Sequence, residues 1–149
     1  GSMSPFNAWI MLKGLETMNL RVQAQSATAL HLAQALEDHP ALSRVIYPGL
    51  TRHPQHDLAM RQMGSGGTLL AIEVKGAYRF LNACEVGIIS NNLGDAKTIL
   101  TPPFSTTHQR LPQDQKDILG ITPGLVRISV GLEDVTDLQA DFTRALSAK

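Results

Sequence analysis

The chain has 149 residues, 43% of them hydrophobic and 17% charged, with a formal net charge of zero. That is the length and make-up of one globular domain able to fold around its own core. The neutral balance and the lack of a Lys/Arg run argue against a nucleic-acid footprint. No apolar run approaches the roughly 18 residues needed to cross a membrane, and no signal-peptide pattern opens the chain. Cys84 is the single cysteine, which rules out an internal disulfide and points to a reducing, cytoplasmic setting.

Gly1-Ser2-Met3 reads like a remnant of tag cleavage, which leaves residues 4–149 as the domain. Ser4 as N-cap and Pro5 in the first turn predict a helix that runs to about Glu37, with Gly14 as a possible kink. Ala29, Leu32, Ala33 and Leu36 have the spacing of a buried helical stripe, and Pro40 stops the helix. Ser43 to Tyr47 reads as a short strand, Pro54 to Met63 as a short helix, and Gly64, Gly66 and Gly67 break it. Thr68, Leu70, Ile72 and Val74 alternate with Leu69, Ala71 and Glu73, the period of a strand. Ala77 to Cys84 suggests a helix. Ile88-Ile89 and Thr98 to Thr101 are candidate strands, separated by a polar turn. Pro102 to Arg110 reads as loop, and Pro112 to Leu119 as a short helix. Leu125 to Val130 is a strand. Asp134 caps a last helix, which carries Asp137 in its first turn and an apolar stripe of Val135, Leu138, Phe142, Ala145 and Leu146. The sum is an α+β domain with about four strands, helices largely on one face and a long N-terminal helix.

The residues raise several chemical possibilities. In "GLVRISVGLED" (124–134), Arg127 and Ser129 share one face of the strand, and Val126, Ile128 and Val130 share the other. Arg127 is either an ordinary solvated or ion-paired strand arginine, or a guanidinium placed to grip a carboxylate through two parallel hydrogen bonds. The turn around Asn92 and Leu93 in "ISNNLGDAKT" could present backbone N–H groups to an anion, or be a plain polar turn. "STTH" (105–108) lacks an acid partner for a nucleophilic triad. His53 and His56 have a metal-like spacing but no further ligands nearby. Cys84 reads as a small buried hydrophobe, and Lys13, Lys75, Lys97, Lys116 and Lys149 have no distinguishing context.

Six segments occur in a telling order: "SPFNAW…KGLETMNLR" (4–21), "VIYPGLTRHPQH" (45–56), "QMGSGGTLLAIEVKG" (62–76), "ISNNLGDAKTIL" (89–100), "STTHQRL" (105–111) and "GITPGLVRISVGLEDVTDL" (120–138). Together they resemble the C-terminal domain of the trans-sulfuration enzymes of Cys/Met metabolism, which use pyridoxal 5'-phosphate. "SNNLGDAKT" and "TTHQRL" are most similar to the O-succinylhomoserine and O-acetylhomoserine sulfhydrylases.

The resemblance implies the small C-terminal domain of a fold-type I enzyme of methionine biosynthesis, homotetrameric at full length, that performs γ-replacement on a homoserine ester. It implies that Arg127 holds the α-carboxylate of the amino-acid substrate, with Asn92 and Leu93 against the same carboxylate. An anchor for an absent ligand should contribute little to the fold. The family's Schiff-base lysine and phosphate-binding residues match nothing in this chain, so no catalytic and no cofactor-binding residue is expected here. Pro102-Pro103 stands where family members usually have His-Pro. The other reading is a non-catalytic amino-acid-binding or assembly module that reuses the domain.

Overall fold

A computed structural model describes residues 2–148. Gly1 and Lys149 lie outside the described residues. The elements in chain order are α1 (Pro5–Glu16), α2 (Met18–Leu36), β1 (Leu42–Ile46), α3 (His56–Met63), β2 (Leu69–Val74), α4 (Ala77–Ala83), β3 (Ile88–Ile89), β4 (Ile99–Thr101), a 3-10 turn (Pro103–Ser105), α5 (Gln113–Ile118), β5 (Leu125–Ser129) and α6 (Val135–Leu146).

The expected long N-terminal helix is two helices. The break falls at Thr17, not at Gly14. Arg21 explains the position: its guanidinium reaches back one turn to the Thr17 hydroxyl and donates to the Gly14 carbonyl at 3.0 Å. That supplies partners to groups at the end of α1 that the helix itself leaves open. The sheet has five strands rather than about four, in the order β1-β2-β5-β4-β3. The fifth is the two-residue β3, parallel to β4, while the other neighbours are antiparallel. It falls on Ile88-Ile89, one of the candidate strands, although two residues are too few to show a period of their own.

Strand β5 is central, and its alternation sets the architecture. Val126 and Ile128 pair with Ile72 and Leu70, and all four are buried on one face with Val130 and Val74. Against that face lie the α2 stripe of Ala29, Leu32, Ala33 and Leu36, then Phe80 and Leu81 of α4, and Leu138, Phe142, Ala145 and Leu146 of α6. Phe80 and Phe142 meet edge-on, 5.8 Å between centroids, a preferred aromatic geometry. The opposite face carries Arg127, Ser129, Thr101 and Ile99. Helix α1 touches α2 and buries nothing: Phe6, Trp9, Ile10, Met11, Leu12 and Leu15 all face solvent.

One buried acid belongs to the core face. Asp141 of α6 is 5% exposed and accepts the amides of Glu85 (2.9 Å) and Val86 (3.0 Å), with Arg144 beside it. Burial alone would raise its carboxyl. The two amides and the guanidinium outweigh that and hold it below the usual carboxylate range. The neighbouring Cys84 is only half-buried, yet its thiol is pushed up to about 12, first by burial and then by the Asp141 charge, against Arg144. It is therefore almost wholly protonated at neutral pH and a poor nucleophile.

A folded-state pKa below the unfolded value gives stability that is present above the ordinary carboxylate pKa of about 3.9 and lost as pH falls through the folded value. Asp141→Asn is therefore expected to cost about 1–3 kcal/mol in urea unfolding at pH 7, with the gap to the parent closing in acid below that range. A cost independent of pH would show that the charge of Asp141 contributes nothing.

Candidate functional site

The site lies on the sheet face away from the helices. Arg127 stands there between two small neighbours, Ala71 of β2 and Thr101 of β4, so nothing bulky overhangs the guanidinium from either strand. Its Nη2 donates to the Asn92 carbonyl at 2.9 Å and to the Thr101 hydroxyl at 3.0 Å, with the Asn91 carbonyl at 3.4 Å. Its Nε is buried and has no hydrogen-bond partner. No carboxylate among the described residues pairs with it. Of the readings open for this arginine, the ion-paired one is therefore not realised. An unpartnered buried donor costs about 1–3 kcal/mol.

The turn that carries Asn92 and Leu93 is fixed to the same strand. Gly94 adopts φ +78°, a conformation cheap only for glycine, and donates its N–H to the Ser129 hydroxyl at 2.9 Å. Thr101, fully buried, donates to the Ser90 carbonyl at 2.6 Å while accepting from Arg127. Further on, Glu133 accepts the Thr98 amide at 2.7 Å and its hydroxyl at 2.8 Å. Gly131 passes so close over this turn that a Cβ there would sit 2.5 Å from the Thr98 nitrogen. Asn92 and Leu93 themselves are exposed. Asn92 contributes its backbone carbonyl to Arg127, and its side chain accepts the Leu93 amide at 2.9 Å.

Sequence reasoning named Arg127, Asn92 and Leu93, and the structure brings the turn and the arginine together. It placed Ser129 on the right face without a role. It missed Thr101, whose part depends on standing opposite Arg127 across β4 and β5. It also missed the tethering itself: Arg127 holds the turn as well as facing solvent.

The remaining candidates lie elsewhere. His53 accepts the Gln55 amide and His56 donates to the Pro48 carbonyl, both turn contacts. In "STTH", Thr107 bonds His108, and Thr106 donates to the Pro102 carbonyl. Lys116 is buried over the Phe104 ring, 4.2 Å from its centroid, a cation–π contact. Lys13, Lys75 and Lys97 are exposed. A concavity of about 680 Å³ beside Glu73, Tyr78, Phe104 and Thr122 does not include Arg127. The arginine sits on an open shelf.

Comparison with known proteins gives these features a context. Residues 1–147 match the family described as Cys/Met metabolism PLP-dependent enzyme. The O-succinylhomoserine sulfhydrylase of Pseudomonas aeruginosa is 48% identical over 99% of this chain and 38% of its own length. A Campylobacter jejuni protein described as O-acetylhomoserine (thiol)-lyase, carrying pyridoxyl-lysine monophosphate, superposes with a TM-score of 0.94 at 35% identity, over 99% of this chain and 36% of its own. Cystathionine γ-lyase from Lactobacillus plantarum, in complex with L-serine, superposes at 0.91 and 29% identity, over 98% and 39%. This chain thus spans about two fifths of the length of the proteins it matches.

The tether makes a direct prediction. Thr101→Val keeps the shape and deletes the hydroxyl that links Arg127 to Ser90. It is expected to lower stability by about 1–3 kcal/mol, with faster amide exchange at Gly94, while Thr101→Ser stays near the parent. A valine protein as stable and as protected as the parent would remove Thr101 from the site.

Proposed function

We propose a function from one premise: the chain belongs to the family of Cys/Met metabolism PLP-dependent enzymes. Within that family we read it as the substrate-binding domain of a homoserine-ester sulfhydrylase. The observation that carries this reading is the Arg127 guanidinium, tethered through Nη2 and left with a buried, unpartnered Nε. An α-carboxylate is the planar anion such a group suits. The sulfhydrylase assignment rests on the 48% relative and on the Asn92-Leu93-Gly94 turn.

Pyridoxal phosphate, when bound, supplies an electron sink for bonds broken at the substrate's Cα. The residues described here fit the carboxylate end of an amino acid better than they fit the cofactor. Three of the lysines are exposed, and Lys116 is committed to Phe104. The attachment point is therefore assigned to the rest of the protein. So is the missing wall of the shelf, and in the same reading the apolar face of α1 is covered in a homotetramer of the full-length enzyme.

Arg127 binds the carboxylate and, through it, orients the Cα–H bond. The turn at Asn92 and Leu93 limits how far the guanidinium can swing, because its carbonyl holds Nη2. Fixing the amino acid at one end presents its γ-carbon in one direction. In the proposed reaction the γ-carbon–oxygen bond of the ester breaks, the carboxylate leaving group carries off the electron pair, and a sulfur nucleophile forms the new bond.

Arg127→Lys in the full-length enzyme keeps the charge and loses the fork. It should cost about 2–4 kcal/mol, or roughly 30- to 1000-fold in kcat/KM, with an O-acyl homoserine. Steady-state kinetics with the succinyl and acetyl esters measures both this loss and the preferred ester. Near-normal kcat/KM in the lysine variant would make Arg127 a structural residue and defeat the reading.

A further inference from the structure

The turn and the strand run side by side in constant register. Asn92 bonds Arg127, Gly94 bonds Ser129 and Thr98 bonds Glu133, each pair 35 residues apart. Asp95 and Val130 continue the series, but they do not touch each other through their own polar groups. Their two carbonyls are joined by Gln25 of α2, whose Nε2 donates to the Asp95 oxygen at 2.7 Å and to the Val130 oxygen at 2.8 Å. Gln25 is 4% exposed and lies 70 and 105 residues from its two partners. Both of its amide hydrogens are spent on this bridge. It is the one member of the series that comes from a third element, and it stands in α2, whose apolar stripe is locked into the core.

We propose that Gln25 is a positioning residue for the Arg127 site: it pins the Asn92–Asp95 turn against β5 and so fixes where the Asn92 carbonyl holds the guanidinium. The physical case is one of rigidity. The turn makes one backbone bond to the chain beyond β5, from the Leu132 amide to the Ala96 carbonyl at 2.8 Å, and its Asn92–Asp95 half depends on side chains for its place. Ser129 and Arg127 are on β5 itself, so they tie the turn to a strand without setting its distance from the helix layer. Gln25 ties strand end, turn and helix together at one buried point. Without it two carbonyls lose their donor, and the Asn92–Asp95 half of the turn loses its tie to the helix layer and can shift outward with Asn92. A shift on the order of 1 Å at a positioning group is enough to cost about 100-fold in an oriented reaction.

The role rests on the reading of Arg127 as a carboxylate ligand, and the test separates the two. The full-length, cofactor-loaded enzyme is titrated calorimetrically with L-norvaline, which lacks a leaving group, and with butylamine, the same molecule without the carboxylate. The ratio of the two affinities reports the carboxylate contact alone. Gln25→Met, similar in length and without donors, is expected to narrow that ratio by about tenfold and to speed amide exchange at Gly94. Arg127→Lys is expected to narrow it as well, and the double variant to add little beyond either. A Gln25→Met protein that loses thermal stability but keeps the parent ratio would show a merely structural residue and overturn the proposal. A ratio that narrows with Gln25→Met and not with Arg127→Lys would defeat the Arg127 reading, and with it the route by which Gln25 is proposed to act. Should the methionine variant not fold, Gln25→Glu, of the same shape, carries the same measurement.

Discussion

The two-faced alternation of β5 is the constraint on which the rest depends. Val126, Ile128 and Val130 are fully buried against the helices, and a one-residue slip would turn that whole set outward. The same register that buries them puts Arg127 and Ser129 on the other side, beside Thr101 of β4. Core and site are thus set by one decision. The hydrophobic effect fixes the strand, and the strand aims the guanidinium.

The second half of the site is held by polar groups in place of apolar ones. The turn at 90–98 contributes little to the core, and its position comes from the Leu132 amide on the Ala96 carbonyl and from hydroxyl, carboxylate and amide contacts to Thr101, Ser129, Glu133 and Gln25. Buried polar contacts of this kind are directional and specify one geometry when satisfied. The buried Arg127 Nε is left out of that satisfaction.

Legibility in the sequence follows the same division. The alternation of β2 and β5, the α2 stripe and the Asp134 cap were readable because they obey a local period or a local cap. Asp134 does accept the Thr136 amide, at 2.8 Å. The face of Arg127 followed from the period of β5. What could not be read were features made by distant partners. The break at Thr17 depends on Arg21 folding back on Gly14, and the candidate strand Ile88-Ile89 is realised as β3 through pairing with β4. Asp141 reads as one more polar residue of α6 until the Glu85 and Val86 amides are placed against it. Gln25 and Thr101 likewise acquire roles only through residues far along the chain. The family motifs pointed to Arg127, Asn92 and Leu93, and said nothing of what holds them.

The central claim is that Arg127 grips the α-carboxylate of an amino acid. A crystal structure of the full-length, cofactor-loaded enzyme with L-norvaline bound tests it most directly. The account predicts a carboxylate oxygen at about 2.7–2.9 Å, the charge-assisted range, from an Arg127 nitrogen, with the Asn92 carbonyl still on Nη2. A carboxylate bound elsewhere, with the Arg127 Nε still unpartnered, would contradict it.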